Sequence, residues 1–431
     1  MQRHIAEVAF ERSQLTELKN KMLNWSSRFS ISLFLDSNEY PDQYGRYECL
    51  LAAGADHLVL DDDAKAFATL QHVFDERRDW LFGHLNYDLK NVLERHLESG
   101  HDGSHGWPMM QFFVPEVVCV ILRGTSVLRV ETLAGDPSMI AEEIQQEQLS
   151  PAQPLPRIPF ASRFSKEEYL ERIIALKEHI GNGDCYEITF CNEGYVSGVT
   201  VVPRAIFTTL NAASPSPFAA FYQTGDNAMI CTSPERFITK RGRVVRSQPI
   251  KGTTRRGNET TEDEQFRQAL RNSEKEQAEN VMITDLVRND LARSCEVGSI
   301  KVDELFGIYS FPRVHQMIST ISGQLRDDVP FTDAIRYAFP MGSMTGAPKH
   351  KAMQLIDQYE CTRRELFSGS VGYISPDGDF DFNVVIRSMF YNAESRYLSY
   401  QTGGAITWGS DPEGEWEEMR LKARAMEQIF A

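Results

Sequence analysis

The sequence predicts an α+β fold, with antiparallel strands and helices in irregular alternation instead of the strict strand–helix repeat of a doubly wound parallel sheet. Three observations carry this reading. Ser165 followed by Glu168 is a capping-box signature, and Tyr169, Ile173, Leu176 and Ile180 fall on one face of the helix it would open. Two apolar strand-like runs, 368–375 and 380–391, flank Pro376-Asp377-Gly378 at hairpin spacing. Elsewhere strands follow strands without an intervening helix, as antiparallel sheets allow.

In chain order, residues 24–60 read as strand and turn: Phe29, Ile31, Leu33 and Leu35 alternate with Ser30, Ser32 and Phe34, and Asp36-Ser37-Asn38 closes the run. A strand over 117–122 leads to Pro151, Pro154, Pro156 and Pro159, four prolines in nine residues that mark an extended connector. We place a boundary there, with a β-rich amino-terminal region over 1–150 packed on a catalytic domain over 160–431. Beyond it the pattern predicts a helix over 166–180, strands over 228–240 and 243–249, a helix over 261–293 and a strand near 320–325. Helices over 331–337 and 347–359, the hairpin, a strand reaching 405 and a last helix from Pro412 complete it.

Composition bounds the function. The 431 residues carry 45 Lys plus Arg against 61 Asp plus Glu, a net charge of −16 that repels nucleic acid and anionic membrane surfaces. Residues 1–14 carry Glu7 and Glu11 where a secretory leader needs an apolar run, and no stretch approaches the length of a membrane span, so a cytoplasmic protein is expected. Seven scattered cysteines without a C-x-x-C spacing suggest neither disulfides nor zinc, and are expected as small buried apolar residues.

Two predicted helices present carboxylates at i, i+3 bordering apolar stripes: Glu276 and Glu279 before Met282, Ile283 and Leu286, and Glu415 and Glu418 beside Trp416, Met419 and Ala423, with Lys422 following. Such pairs read either as solvated or ion-paired glutamates or, if the two helices converge, as hard oxygen donors suited to Mg²⁺. The run Gly342-Ser343-Met344-Thr345-Gly346-Ala347-Pro348-Lys349 lacks the ending of a nucleotide phosphate loop; Thr345 is expected to cap the next helix. Gly403, Gly404 and Ala405 form a strand segment whose small side chains would let a ligand touch backbone N–H groups. Lys251 sits beside Gly252 and Thr253 at a strand end, and Glu235 follows Ser233-Pro234; alone, Lys251 reads as a surface lysine.

Together these motifs resemble the chorismate-utilising enzymes. The resemblance runs from about residue 164 to 430 and includes SPERF (233–237), PIKGT (249–253), AENVMITDLVRNDL (278–291), VHQMIST (314–320), GSMTGAPKHKAM (342–353), VVIRS (384–388), GGAI (403–406) and DPEGEWEEMRLKARAM (411–426). It implies that family's large fold, antiparallel sheets in a layered sandwich flanked by helices. It also implies that Glu279 and Glu418 hold Mg²⁺ with Glu276 and Glu415 close behind, and that Arg387 and Lys422 bind a substrate carboxylate. Gly403, Gly404 and Ala405 would add backbone donors, and His315, Thr345, Gly252 and Thr253 would line the chorismate pocket.

The resemblance also separates reactions. Members that add water at C2 carry a lysine after Gly-Asp-x-Tyr, whereas here Gly183-Asp184-Cys185-Tyr186 is followed by Glu187, in place of the glutamine of amino-transferring members. Members that aminate C2 with loss of pyruvate have alanine at Lys251, and members that aminate C4 have lysine. The implied reaction is therefore amination to 4-amino-4-deoxychorismate, with Lys251 attacking C2 and Glu235 protonating the departing hydroxyl. Lys251 would then need a lowered pKa and Glu235 a raised one. Two further departures are Phe367, where a hydroxylated aromatic is usual, and Arg255, where proline is usual. No Gly-x-Cys-x-Gly-His glutaminase motif is present, so ammonia is expected from a separate amidotransferase subunit. The competing readings are C2 amination and a catalytically silent tryptophan-binding regulatory subunit.

Overall fold

The computed structural model describes residues 2–94, 96–149, 155–257 and 259–430. Two antiparallel sheets, of twelve and ten strands, form a sandwich. A continuous apolar core lies between them, with Leu33, Leu50, Ala220, Tyr222 and Met229 from the larger sheet meeting Phe82, Phe112, Ile238, Val245 and Phe382 from the smaller. The opposite face of the larger sheet is covered by helices Leu15–Trp25, Pro137–Gln146, Pro203–Ala213 and Pro412–Glu427, which bury Met22, Ile144, Phe207 and Met426 against Leu51, Ile121, Phe221 and Leu398. Removing these side chains from water is the main stabilising contribution.

Strand pairing crosses the prolines near residue 150 in both sheets. Ile31–Asp36 pairs with Phe218–Thr224 in the larger sheet, and Leu81–Leu85 pairs with Ser370–Ile374 in the smaller. Of the expected proline connector, Pro151 and Pro154 lie outside the described residues; Pro156 and Pro159 are in unpaired chain.

Local signals act where they were read. The helix Lys166–Gly181 opens on the full capping box, with Ser165 and Glu168 each bonding the other's backbone N–H. The hairpin closes with Ile374 opposite Phe380, and Gly378 takes φ +78° in its turn. The helix expected over 261–293 is in fact two, Thr260–Arg271 and Glu274–Ala292. Ser273 breaks it because its hydroxyl caps the second helix, accepting from Glu276 N–H at 3.4 Å. Ser273 with Glu276 is itself a capping signature, unread in the sequence.

Two expected strands also divide, and their divisions build the site. The run expected over 228–240 splits into Asn227–Ser233 in the larger sheet and Arg236–Arg241 in the smaller, so Pro234 and Glu235 form the crossing. The run expected over 380–391 splits into Phe380–Asn383 in the smaller sheet and Ser388–Asn392 in the larger, crossing through Val384 to Arg387. An apolar pattern cannot reveal such a crossing, because the chain stays buried while it changes sheets.

Six cysteines are buried as expected; Cys361 is exposed, and all seven are free thiols. No helix among the described residues is long and apolar enough to cross a membrane.

Candidate active site

The two crossings run side by side. Val384 N–H donates to the Glu235 carbonyl at 3.0 Å, and Thr232 N–H donates to the Arg387 carbonyl at 3.1 Å. Glu235 and Arg387 are thereby held at the same end of the sandwich. Arg387 takes φ +53°, a left-handed conformation that a non-glycine residue adopts at a cost and that marks an over-determined position.

Lys251 comes to this end from the smaller sheet. Its strand, Ile250–Arg255, pairs with Val314–Gln324, but the register slips between Ile250 and Thr253, so Lys251 and Gly252 bulge from the ladder. Gly252 has φ +90°, and a Cβ there would lie 2.9 Å from Glu276 Oε2, so glycine is required both by the backbone and by the space. Thr253 is exposed next to it.

Lys251 is only 7 % exposed, and its ammonium donates to Glu187 Oε1. Glu187, 2 % exposed, opens the strand Glu187–Ser197 of the larger sheet, held between Ala347 and Thr407, so this ion pair bridges the two sheets. Burial alone would lower the lysine pKa. The Glu187 carboxylate, reinforced by Glu279 and Glu235, outweighs it and holds Lys251 above its ordinary value. The lowered lysine pKa expected above is therefore not found, because Glu187 supplies a counter-charge that the glutamine usual there would not.

Glu235 behaves as expected. It is 4 % exposed, and burial pushes its carboxyl up to about 7, against the smaller opposing influences of the Ser343 hydroxyl and Lys251. At neutral pH a substantial fraction carries a proton.

Both glutamate pairs lie in the first two turns of their helices, where the helix dipole favours negative charge. Ser273 caps Glu274–Ala292, and Asp411 caps Pro412–Glu427 through Gly414 N–H at 2.9 Å. All four carboxylates act on Lys275, which places them in one electrostatic neighbourhood. Burial, with the Glu187 and Glu276 charges adding to it, raises Glu279 to about 7; Glu276 and Glu415 are also raised, by burial first and by Glu418 second among the charges that raise them. Glu418, half exposed, is lowered despite burial, because Lys422 donates to it at 2.7 Å.

Lys422 also donates to the Gly403 carbonyl at 2.7 Å. Gly403 and Gly404 are glycines for different reasons. A Cβ on Gly403 would sit 2.0 Å from the Phe190 carbonyl oxygen of the paired strand, and one on Gly404 would sit 2.9 Å from Glu415 Oε2. Their strand, Tyr397–Thr407, pairs with Ser388–Asn392 only as far as Tyr400, so Gly403, Gly404 and Ala405 have a strand partner on one side alone. Arg387 lies just before the point where that neighbour begins. Its guanidinium forms no hydrogen bond or ion pair among the described residues, and burial lowers its pKa.

Two expected pocket residues have other work. Thr345 is fully buried but does not cap the next helix; that helix, Lys349–Tyr359, follows Pro348, and the Thr345 hydroxyl donates instead to the Met341 and Gly342 carbonyls, each at 3.2 Å. His315 is buried with both ring nitrogens engaged, Nδ1 by Ser310 at 2.8 Å and Nε2 by Asp263 at 3.0 Å. Phe367 is core, and Arg255 is a surface residue paired with Glu262 and stacked over Phe266.

The donor set fits a divalent oxygen-seeking cation. Glu279 Oε1 is buried without a hydrogen-bond partner, and the Glu276, Glu279 and Glu415 carboxyls are raised chiefly by burial with neighbouring carboxylates adding to it, a cost that such a cation would relieve. Among the described residues no group of three or more His, Cys, Asp or Glu side chains stands close enough together to hold a metal ion by itself. Mg²⁺ typically takes one or two carboxylates and completes its shell with water or substrate oxygens.

The chain is 36 % identical over 271 residues to aminodeoxychorismate synthase component 1 of Bacillus subtilis (strain 168), an alignment covering 63 % of this chain and 57 % of that protein. It is 41 % identical over 264 residues to the chloroplastic aminodeoxychorismate synthase of Arabidopsis thaliana, covering 61 % of this chain and 28 % of that one. The chain thus spans less than three-fifths of the length of either relative. Anthranilate synthase component I from Streptococcus pneumoniae TIGR4 shares the fold with a TM-score of 0.78 at 24 % identity, covering 90 % of this chain and 93 % of that one. The menaquinone-specific isochorismate synthase of Escherichia coli shares it with a TM-score of 0.78 at 17 % identity, covering 100 % and 95 %. Residues 34–428 match the family model described as chorismate binding enzyme, and the chain belongs to that family.

Proposed function

We propose that this protein aminates chorismate at C4, forming 4-amino-4-deoxychorismate through a covalent adduct on Lys251. The observation that carries this is one buried amine, Lys251, within electrostatic reach of one protonatable buried acid, Glu235. The aminodeoxychorismate synthases among its relatives support the same reading.

Lys251 first gives up its ammonium proton to solvent, because only the neutral amine has a lone pair to donate. Its nitrogen then bonds to C2 while both conjugated ring double bonds shift and the C4–oxygen bond breaks. The departing hydroxyl takes the Glu235 proton and leaves as water. Ammonia bonds to C4, both ring double bonds shift back, the C2–nitrogen bond breaks, and Lys251 is released as an amine. The excess proton on the new C4 amine returns to Glu235.

Arg387 offers a forked, unpaired guanidinium to one substrate carboxylate, with Lys422 and the open strand edge at Gly403, Gly404 and Ala405 beside it. Gly252, Thr253, His315 and Thr345 complete the pocket wall in this reading. Chorismate-binding enzymes are generally Mg²⁺-dependent. Here Glu279 and Glu418, backed by Glu276 and Glu415, would hold the ion, which supplies positive charge between an acidic pocket and a dianionic substrate. The component 1 naming of the Bacillus relative supports a separate subunit that delivers ammonia, in our reading a glutaminase.

The test is Lys251→Ala assayed with chorismate, Mg²⁺ and ammonium at alkaline pH. The 4-amino product and the chorismate adduct on the Lys251 peptide are both expected to disappear. Undiminished product, with no adduct in the parent protein by mass spectrometry, overturns the covalent mechanism. A 2-amino product with pyruvate release overturns the assignment to C4.

A further inference from the structure

We propose that Glu187 is a positioning residue for Lys251, fixing its amine between the two sheets as an ammonium ion and setting the pH above which that amine becomes a nucleophile. This rests on the reading of Lys251 as the attacking group and adds to it the residue that controls it.

The geometry is specific. Lys251 stands on a bulge of the smaller sheet, where the ladder does not fix its backbone as it fixes Ile250 and Thr253. Glu187 stands on the larger sheet, 64 residues away in sequence, with strand partners on both sides. Among the described residues the Lys251 ammonium hydrogen-bonds to Glu187 alone. A four-carbon side chain on a bulge has many rotamers, and one buried carboxylate reduces them to those that reach Oε1.

The other charges near Lys251 are also acidic: Glu235 from the sheet crossing, Glu276 and Glu279 from the helix Glu274–Ala292, and Glu418 from the helix Pro412–Glu427. None of these is hydrogen-bonded to it. Glu187 therefore differs from them in contact, not only in charge, and replacing its charge while keeping its shape isolates the effect. The second Glu187 oxygen, Oε2, is buried without a partner, so the carboxylate is not satisfied elsewhere and its charge is directed at the lysine.

Competitive acetylation of the intact protein with trace acetic anhydride, in saturating Mg²⁺ and across pH 7 to 11, measures the charge state of individual lysines when read by peptide mass spectrometry. In the parent, Lys251 is expected to reach half-maximal reactivity at a higher pH than the exposed Lys65. In Glu187→Gln the midpoint should fall, so that Lys251 reacts at least about tenfold faster at pH 8 relative to its own plateau. Glu187→Asp, which keeps the charge on a shorter arm, should restore part of the difference. A Lys251 midpoint at or below that of Lys65 in the parent overturns the proposal, as does an unchanged midpoint in a folded Glu187→Gln protein. The parent measurement decides even if the variant does not fold. Acetylation needs no chorismate, so a missing chorismate adduct counts against Lys251 as nucleophile and not against its control by Glu187.

Discussion

Arg364 and Glu360, four residues apart, form a buried bidentate ion pair, with Arg364 Nη2 2.6 Å from Glu360 Oε1 and Nε 2.9 Å from Oε2. Arg364 also donates to the carbonyls of Met344 at 2.6 Å and Thr189 at 2.8 Å, and Glu360 accepts from Cys191 N–H at 2.9 Å. The pair thus ties the segment before Thr345 to the strand that carries Glu187. Arg364→Met would leave a buried carboxylate without its partner and is expected to lower stability by about 3–5 kcal/mol. The double variant Arg364→Met, Glu360→Met should lose less than the single one. Urea unfolding of the three proteins checks both statements.

Glu235 makes stability and rate depend on pH through the same proton. Its folded value of about 7 lies above the ordinary 4.5, so between these limits the folded protein keeps a proton that the unfolded chain has released. Stability must fall as pH rises through that window and level off above it, by roughly 3 kcal/mol in total from this group. Glu235→Gln removes the effect, so its gain in melting temperature over the parent should be larger at pH 8 than at pH 5. The same variant should aminate chorismate roughly 10²–10⁴-fold more slowly, as for other lost general acids.

Gly252→Ala tests the bulge. The new methyl meets Glu276 and a left-handed backbone, so a stability loss of about 1–3 kcal/mol is expected. Displacement of the adjacent Lys251 should slow adduct formation more than it weakens chorismate binding. Single-turnover mass spectrometry alongside equilibrium binding separates the two.

Arg387→Ala should weaken chorismate binding by about 1.5–3 kcal/mol, the range for a hydrogen bond to a charged group. Because the guanidinium has no protein partner among the described residues and is desolvated, thermal stability should not fall. Calorimetric binding and a melting curve on the same sample check the contrast.

Glu279→Gln should raise the Mg²⁺ concentration needed for half-maximal turnover by about 10-fold or more. Isothermal titration with Mg²⁺ alone provides a readout that does not depend on catalysis. Equal Mg²⁺ affinity in parent and variant would remove Glu279 from the metal site.

Much of the site was legible because short motifs carry local physics. The Ser165–Glu168 cap is sequence-local and legible, the equally local Ser273 cap went unread, and Gly403 stands where a Cβ would meet the backbone of the paired strand. Lys251, Glu235, Arg387 and the two glutamate pairs were named together only through the family resemblance. What escaped was decided by how each side chain packs. Thr345 looked like a cap because hydroxyls often are, but its carbonyl partners lie just before it in a short turn. His315 is fully engaged by Asp263, 52 residues earlier, a distance at which no spacing rule operates.

The sequence by itself determined the fold class, the start of the helix Lys166–Gly181 and the hairpin turn, since these depend on backbone sterics, capping and apolar periodicity, and its resemblance to a family named the ionisable groups. Only the tertiary structure decided where two strands cross between the sheets, which puts Glu235 beside Arg387. It also decided that Glu187 and Lys251, from different sheets, share a proton-rich contact. A lysine's charge depends on the dielectric and the ions within a few ångströms, and those neighbours are supplied by the fold and not by the residues next to it in the chain.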